Sequence, residues 1–258
     1  MTDSILELLP TDVVKAETQN PRKLIIFSNP KVGKTSTLSK LENNLIIDLE
    51  DGSEFVDAKK INVKAYARKT GKSEMQILAE IAKGIKDKNT ELGTYAYNYI
   101  TLDTITALED VVKPYALKLY QGTSMGKTYT GNILALPNGA GYGYLREAFE
   151  TVYNSFFGLS NCLILLGHIK KASITKDGKE LGAKDLDLTG KLKQITCADA
   201  DAIGYLYRKD NNNYLSFKTS EVDLATGARP AHLRQQEFII STLDKDKLTC
   251  NWDKVFIK

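Results

Sequence analysis

The sequence predicts an α/β protein with a mostly parallel central sheet flanked by helices. Two observations lead there. Four apolar runs, "KLIIF" (23–27), "NLIIDLEDG" (44–52), "YNYITLD" (97–103) and "CLILLGH" (162–168), are continuous rather than alternating, as strands covered on both faces are. Stretches of helical period separate them, which implies right-handed crossovers between parallel strands.

Each element has a local reason. Residues 1–22 are polar apart from "ILELL", closed by Pro10, and read as an arm before the domain. The first strand, 23–27, runs into Ser-Asn-Pro, a loop signal, and "TSTLSKLEN" then continues as a helix. Ser73 with Gln76 three residues on is a capping-box pattern, and Ile77, Leu78, Ile81 and Ile85 give that helix its apolar face. The third strand leads straight into "TITALEDVVKPYALKLY", a helix that Pro114 should bend. Residues 121–143 are rich in glycine, threonine and tyrosine without a period, and a helix with Leu145, Phe149, Val152 and Phe156 on one face follows. Residues 169–195 read as a long polar, lysine-containing stretch, and the tail holds short β-type runs: "DAIGYLY", "NYLSFKT", "EFIIST" and "KVFI".

The 258 residues suffice for one α/β domain with a proper core, and 42% hydrophobic with 26% charged residues fits a soluble globular chain. A net charge of +3 is too mild to imply nucleic acid without clustering. Cys162, Cys197 and Cys250 are far apart with no C-x-x-C pair, which argues against a zinc site or disulfide framework and fits a reducing compartment. The N-terminus lacks the basic lead and apolar core of a signal peptide, and no apolar run approaches the ~20 residues of a membrane span.

On parallel sheets ligands bind at the carboxyl ends of the strands. Ser28–Thr35, Asp48–Asp51, Asp103–Thr104 and Gly167–Lys171 are the polar groups that fall there. The first group, inside "FSNPKVGKTST" (27–37), carries a phosphate-binding P-loop with Ser28 where a glycine is usual. Ser28 is small enough for a position that leaves the strand. In such a loop consecutive backbone N–H groups of Asn29, Pro30, Lys31, Val32, Gly33, Lys34, Thr35 and Ser36 (proline apart) wrap phosphate oxygens at a helix N-terminus. Lys34 reaches the β- and γ-phosphates of ATP, and the Thr35 hydroxyl ligates Mg²⁺. Asp103, ending "YITLD", is positioned as a Walker B acid that orders the same ion, or as an N-cap for the next helix.

These motifs in this order resemble the RecA-like ATPases. In that class an acidic pair with one residue between ends the next strand, matched by Asp48 and Glu50, and the second acid activates water. A strand whose polar end senses the γ-phosphate is matched by "LILLGHIKK", with His168 where the recombinases carry glutamine. Pro30–Thr35, Asp48–Gly52, Gly167–Lys170 and Leu188–Lys191 echo phage-encoded RecA-like nucleotide-binding proteins of single-strand annealing and recombination. The resemblance spans residues 23–220. It implies a RecA-like P-loop NTPase core there, with 221–258 as a β-rich extension packed on the core. It also implies a homo-oligomer, ring or filament, acting on single-stranded DNA in the host cytoplasm, with a phage annealing or single-strand-binding protein as partner. Residues two apart on a strand share a face, so Asp48 and Glu50 could both face the nucleotide.

Lys170, Lys171 and Lys176 follow the sensor position as candidate contacts to the DNA backbone, and Lys127 with Tyr129 lies in the other glycine-rich stretch. The basic residue that such ATPases take from a neighbour is Arg208, Lys209 or Lys218, with Lys218 favoured. Two rivals stand beside the ATPase: a nucleotide-dependent partner-recruiting or loading module with slow turnover, and a small-molecule kinase. The kinase needs an arginine-rich lid, and residues 169–195 contain no arginine.

Overall fold

The computed structural model describes residues 12–16, 19–176, 179–220, 225–245 and 247–258, and for residues 171–183 the backbone alone. The "ILELL" run of the N-terminal arm lies outside the described residues. Among them the chain runs β1 (Lys23–Ser28), α1 (Lys34–Leu38), β2 (Asn44–Asp48), β3 (Lys59–Asn62), α2 (Val63–Thr70), α3 (Glu74–Leu92), β4 (Tyr99–Asp103), α4 (Ile105–Gln121) and α5 (Ala140–Phe156). It continues through β5 (Cys162–Lys176), β6 (Lys179–Leu186), α6 (Gly190–Asp199), β7 (Ala202–Lys209), β8 (Asn212–Ser216), β9 (Gly227–Ala228), β10 (Glu237–Asp244) and β11 (Lys247–Cys250).

One sheet carries the order β11-β10-β8-β7-β1-β5-β4-β2-β3. The run from β3 to β7 is parallel throughout, and β8, β10 and β11 add antiparallel pairs at the far edge. The result is a mixed α/β fold with a mostly parallel sheet flanked by helices. From β1 the chain crosses to β2 on one side; from β5 it crosses to β7 on the other. The polar ends of β1, β4 and β5 thereby meet at one edge of the sheet.

The continuous apolar strands are explained by two cores. Ile25, Phe27, Ile47, Leu102, Leu163 and Leu165 face the long helices α3, α4 and α5. Leu24, Ile26, Ile46, Ile164 and Leu166 face the other way, toward Leu38 of α1, Leu233, Trp252, Val255 and Phe256. Each fully buried Leu, Ile or Phe stabilises the fold by about 1.5–3 kcal/mol.

Several expectations change in detail. The helix after the P-loop has five residues, ending at Leu38, whose carbonyl accepts from Asn44 Nδ2 at 3.0 Å. Residues 59–70 form β3 and α2, with the Asn62 side chain capping α2 by accepting from Ala65 N at 2.7 Å. The capping box at Ser73 and Gln76 is present, and α4 continues through Pro114. The stretch after His168 is a β-ribbon rather than a loop: β5 runs on to Lys176 and pairs antiparallel with β6 from Ile169↔Leu186 to Lys176↔Lys179. "KVFI" is not a strand; Val255 and Phe256 fold back into the second core, and β11 precedes them. The boundary at residue 220 falls between β8 and β10, which are neighbours in the same sheet.

The stretch 121–143 closes against α5. A Cβ on Gly141 would stand 1.8 Å from the Ile133 carbonyl oxygen, whereas one on Gly143 meets nothing within 4 Å. Gly141→Ala should therefore cost about 2–3 kcal/mol by overpacking against backbone. Gly143→Ala should leave stability unchanged or raise it by up to about 1 kcal/mol through helix propensity. Urea unfolding of both variants checks the pair.

Candidate functional site

The site is built where β1, β2, β4 and β5 end. After Ser28 the backbone turns through positive φ at Lys31 (64°) and Gly33 (100°), and α1 starts at Lys34. Gly33 is the residue for that turn, since a φ of 100° suits no side chain. Asn29, Pro30 and Lys31 are exposed, Val32, Gly33, Thr35 and Ser36 are half-buried, and Lys34 is buried.

Ser28 does more than fill a small position. Its hydroxyl accepts from Lys34 Nζ at 3.2 Å and donates to the Asn29 carbonyl at 2.8 Å. Burial pulls the Lys34 pKa down, opposed by the charges of Asp103 and Glu50. A buried ammonium facing two carboxylates across an open loop is suited to meet phosphate oxygens.

Thr35 Oγ1 donates to Asp103 Oδ2 at 2.6 Å, which joins the P-loop to the end of β4. Burial pushes Asp103 up to about 6; the Thr35 hydroxyl bond and Lys34 oppose this, while Asp48 and Glu50 add to it. Among the described residues no three His, Cys, Asp or Glu side chains gather as a metal-ligand set. One hydroxyl and one carboxylate nonetheless suit Mg²⁺, which takes few protein ligands and completes its shell with water and phosphate oxygens.

Asp48 and Glu50 separate in role. Asp48 is 1% exposed and turned inward. Its Oδ1 accepts from Glu50 N at 2.8 Å and its Oδ2 from Ser53 N at 2.9 Å, so it fixes the turn after β2 and does not face the nucleotide side as expected. Glu50 projects to the site. Its Oε1 accepts from Thr104 Oγ1 at 2.6 Å and is 2.8 Å from His168 Nε2. A carboxylate only accepts, so Nε2 carries the proton. Burial raises the Glu50 pKa, but the bonds from His168 and Thr104 and the His168 and Lys34 charges outweigh it, and the net direction is down. Both bonds fall on Oε1.

His168 is fixed by its backbone. Its N–H donates to Thr106 Oγ1 at 3.1 Å, and its carbonyl accepts from Asp187 N at 3.0 Å, so α4 and the end of β6 hold it. Its Nδ1 is buried and meets no hydrogen-bond partner among the described residues.

Other sequence candidates lie elsewhere. Lys170 is exposed at the base of the ribbon; the side chains of Lys171 and Lys176 lie outside the described residues. Lys127 is exposed, but Tyr129 packs edge-on against Tyr120 at 5.4 Å and donates its hydroxyl to the Asn132 carbonyl at 2.7 Å, so it is not a free stacking platform. Arg208 serves its own chain: Nη2 donates to the Val32 carbonyl at 2.8 Å and Nε to Asn213 Oδ1 at 3.1 Å. Lys218 pairs with Glu237 at 3.3 Å. Both side chains are exposed and both have partners within their own chain. Asn213, Ser241 and Trp252, which support the P-loop from behind, escaped the sequence reading because no motif marks them.

Over residues 20–232 the chain matches the family described as AAA domain. No curated protein matches it. Among solved structures, the crystal structure of the RadB recombinase is similar at 11% identity and a TM-score of 0.41, covering 89% of this chain and 90% of that one.

The charge cluster makes a pH prediction. A carboxyl whose folded pKa lies above its ordinary value costs stability when it ionises. With divalent cations chelated, Asp103→Asn should therefore stabilise the protein above about pH 6, by up to about 3 kcal/mol. The gain should vanish as the pH falls through the ordinary carboxylate range, where wild-type Asp103 is protonated folded and unfolded alike. Denaturant unfolding across that range in a chelator checks the sign.

Proposed function

The chain belongs to the AAA domain family, and from that premise we propose that it binds ATP with Mg²⁺ and hydrolyses it as an oligomer working on single-stranded DNA in recombination or annealing. The observation that carries the hydrolytic reading is the convergence of Lys34, the Thr35–Asp103 pair and the His168-held Glu50 at one sheet edge.

The P-loop N–H groups and Lys34 receive the phosphates. Thr35 and Asp103 hold Mg²⁺, which when bound neutralises charge on the phosphate oxygens. Glu50 polarises the attacking water through Oε2. Thr104 and His168 keep that carboxylate ionised and aimed, because their bonds favour its charged form. His168 stands where β5 leaves the sheet as the β5–β6 ribbon, so a change at the phosphate has a covalent route to the lysines of that ribbon. Lys170 and Lys127 supply exposed positive charge for a nucleic-acid backbone. No helix among the described residues is long and apolar enough to cross a membrane. A phage origin and a single-strand-binding or annealing partner belong to the same proposal and rest on the motif resemblance.

ATP turnover with and without single-stranded DNA, alongside mass measurement with and without nucleotide, tests the reading. Lys34→Ala should abolish nucleotide binding. Glu50→Gln should keep affinity while turnover falls about 10²-fold or more, the scale of a lost general base. Binding without turnover in the wild type would favour the partner-recruiting module.

DNA binding is tested by titrating labelled single strands at several salt concentrations, with ADP and with a non-hydrolysable ATP analogue. Lys170→Ala should weaken binding in every nucleotide state and flatten the salt slope by about 0.7 per lost contact. His168→Ala should instead remove the nucleotide dependence, which linkage requires to be reciprocal. Equal wild-type affinity in both nucleotide states would remove the sensor role from His168.

A further inference from the structure

The P-loop is gripped from both ends by residues outside its motif. Helix α1 has five residues and its N-cap, Gly33, makes no side-chain cap, so the helix is too short to hold its own geometry. Before Gly33, the Val32 carbonyl accepts from Arg208 Nη2 at 2.8 Å. The guanidinium lies close over the loop: a Cβ on Gly33 would be 3.2 Å from the same nitrogen. Arg208 is held in turn by Asn213 Oδ1 at 3.1 Å, and Asn213 Nδ2 donates to Ser241 Oγ at 2.9 Å. Ser241 Oγ is 3.1 Å from Thr37 Oγ1, and the Thr37 carbonyl accepts from Trp252 Nε1 at 3.1 Å. The grip thus runs from the loop, through β7, β8 and β10, back to the helix that follows the loop. Ser241 and Trp252 lie beyond residue 232, where the family match ends.

We infer that Arg208, Asn213, Ser241 and Trp252 form a clamp acting in cis, which keeps the P-loop N–H groups in their anion-receiving shape, with Arg208 as its central positioning residue. The inference rests on the P-loop's being a nucleotide site. Arg208 donates from Nη2 to its own loop and from Nε to Asn213, so on this inference its contribution is to nucleotide affinity rather than to the chemical step on a neighbour. The C-terminal strands are then part of the binding apparatus.

The test is calorimetric titration of MgADP into the full-length protein and its variants, with steady-state ATP kinetics beside it. Arg208→Ala should raise the ADP Kd about tenfold, the scale of one lost hydrogen bond from a charged donor. Its kcat at saturating ATP should stay within about twofold, because only ground-state binding is lost. Arg208→Lys should recover part of the affinity, since one ammonium reaches Val32 or Asn213 but not both in a fork. Trp252→Phe keeps the ring, loses the N–H and should also weaken ADP. Mixing Arg208→Ala with Lys34→Ala chains should restore no activity beyond the sum of the two.

Unchanged ADP affinity in Arg208→Ala or in Trp252→Phe would overturn the clamp. So would a fall in kcat that mixing repairs, which would make Arg208 a residue given in trans. Arg208 is exposed at the strand end, and the lysine variant keeps the comparison open should the alanine variant misfold. A wild-type protein that binds no ADP would instead remove the nucleotide reading, and the clamp with it.

Discussion

A parallel sheet needs cover on both faces, and here the two covers are unequal. One face receives three long helices, α3, α4 and α5. On the other, the one α-helix among the described residues is the five-residue α1, which leaves much of Leu24, Ile26, Ile164 and Leu166 to be buried by something else. Trp252, Val255 and Phe256 do this, with Phe256 against Tyr99 at 4.5 Å and Trp252 against Phe256 at 6.1 Å. The same tryptophan then ties down α1 through Thr37. Covering the second face and supporting the P-loop are therefore one arrangement, and the C-terminal strands serve both.

Glu50 and Asp103 lie near one buried lysine, with Asp48 close enough to raise Asp103, and the protein keeps these like charges together by giving each a different partner. Asp48 spends its oxygens on backbone N–H groups of the turn it anchors. Glu50 is held ionised by His168 and Thr104. Asp103, buried as well, is left with the Thr35 hydroxyl and a raised pKa, which is the electrostatic condition that a divalent cation relieves. Hydrogen bonding thus sets the three carboxylates apart: Asp48 is bound to backbone N–H groups, Glu50 to His168 and Thr104, and Asp103 to the Thr35 hydroxyl.

The strand ends also set what is coupled. Glu50, in the turn after β2, and His168, on β5, flank β4, and Thr104 just past the end of β4 reaches Glu50 between them. His168 is the last residue of β5 that pairs with β1 before the strand leaves the sheet to pair with β6 alone. Gly167 makes that departure possible. A Cβ there would stand 2.4 Å from Leu186 Cδ1, so the glycine lets the returning strand close onto the sheet beside the histidine.

Local chemistry made much of this legible. Continuous apolar runs specify strands buried on both faces, and the order of their polar ends specifies where Ser28–Thr35, Glu50, Asp103 and His168 meet; the capping box at Ser73 is written in two residues. What the chain could not show is partnership over long separations. Asp48 and Glu50 have the same spacing and chemistry as a pair that shares a face, and only the turn after β2 separates them. Lys170 to Lys176 read as a polar loop because a two-stranded ribbon away from the sheet lacks an apolar stripe to announce it. The contact of Arg208 with its own loop was hidden because its acceptor, the Val32 carbonyl, lies 176 positions away and carries no side-chain signature. Backbone acceptors are present at every residue, so which one a given arginine, asparagine or tryptophan finds is settled by sheet order alone.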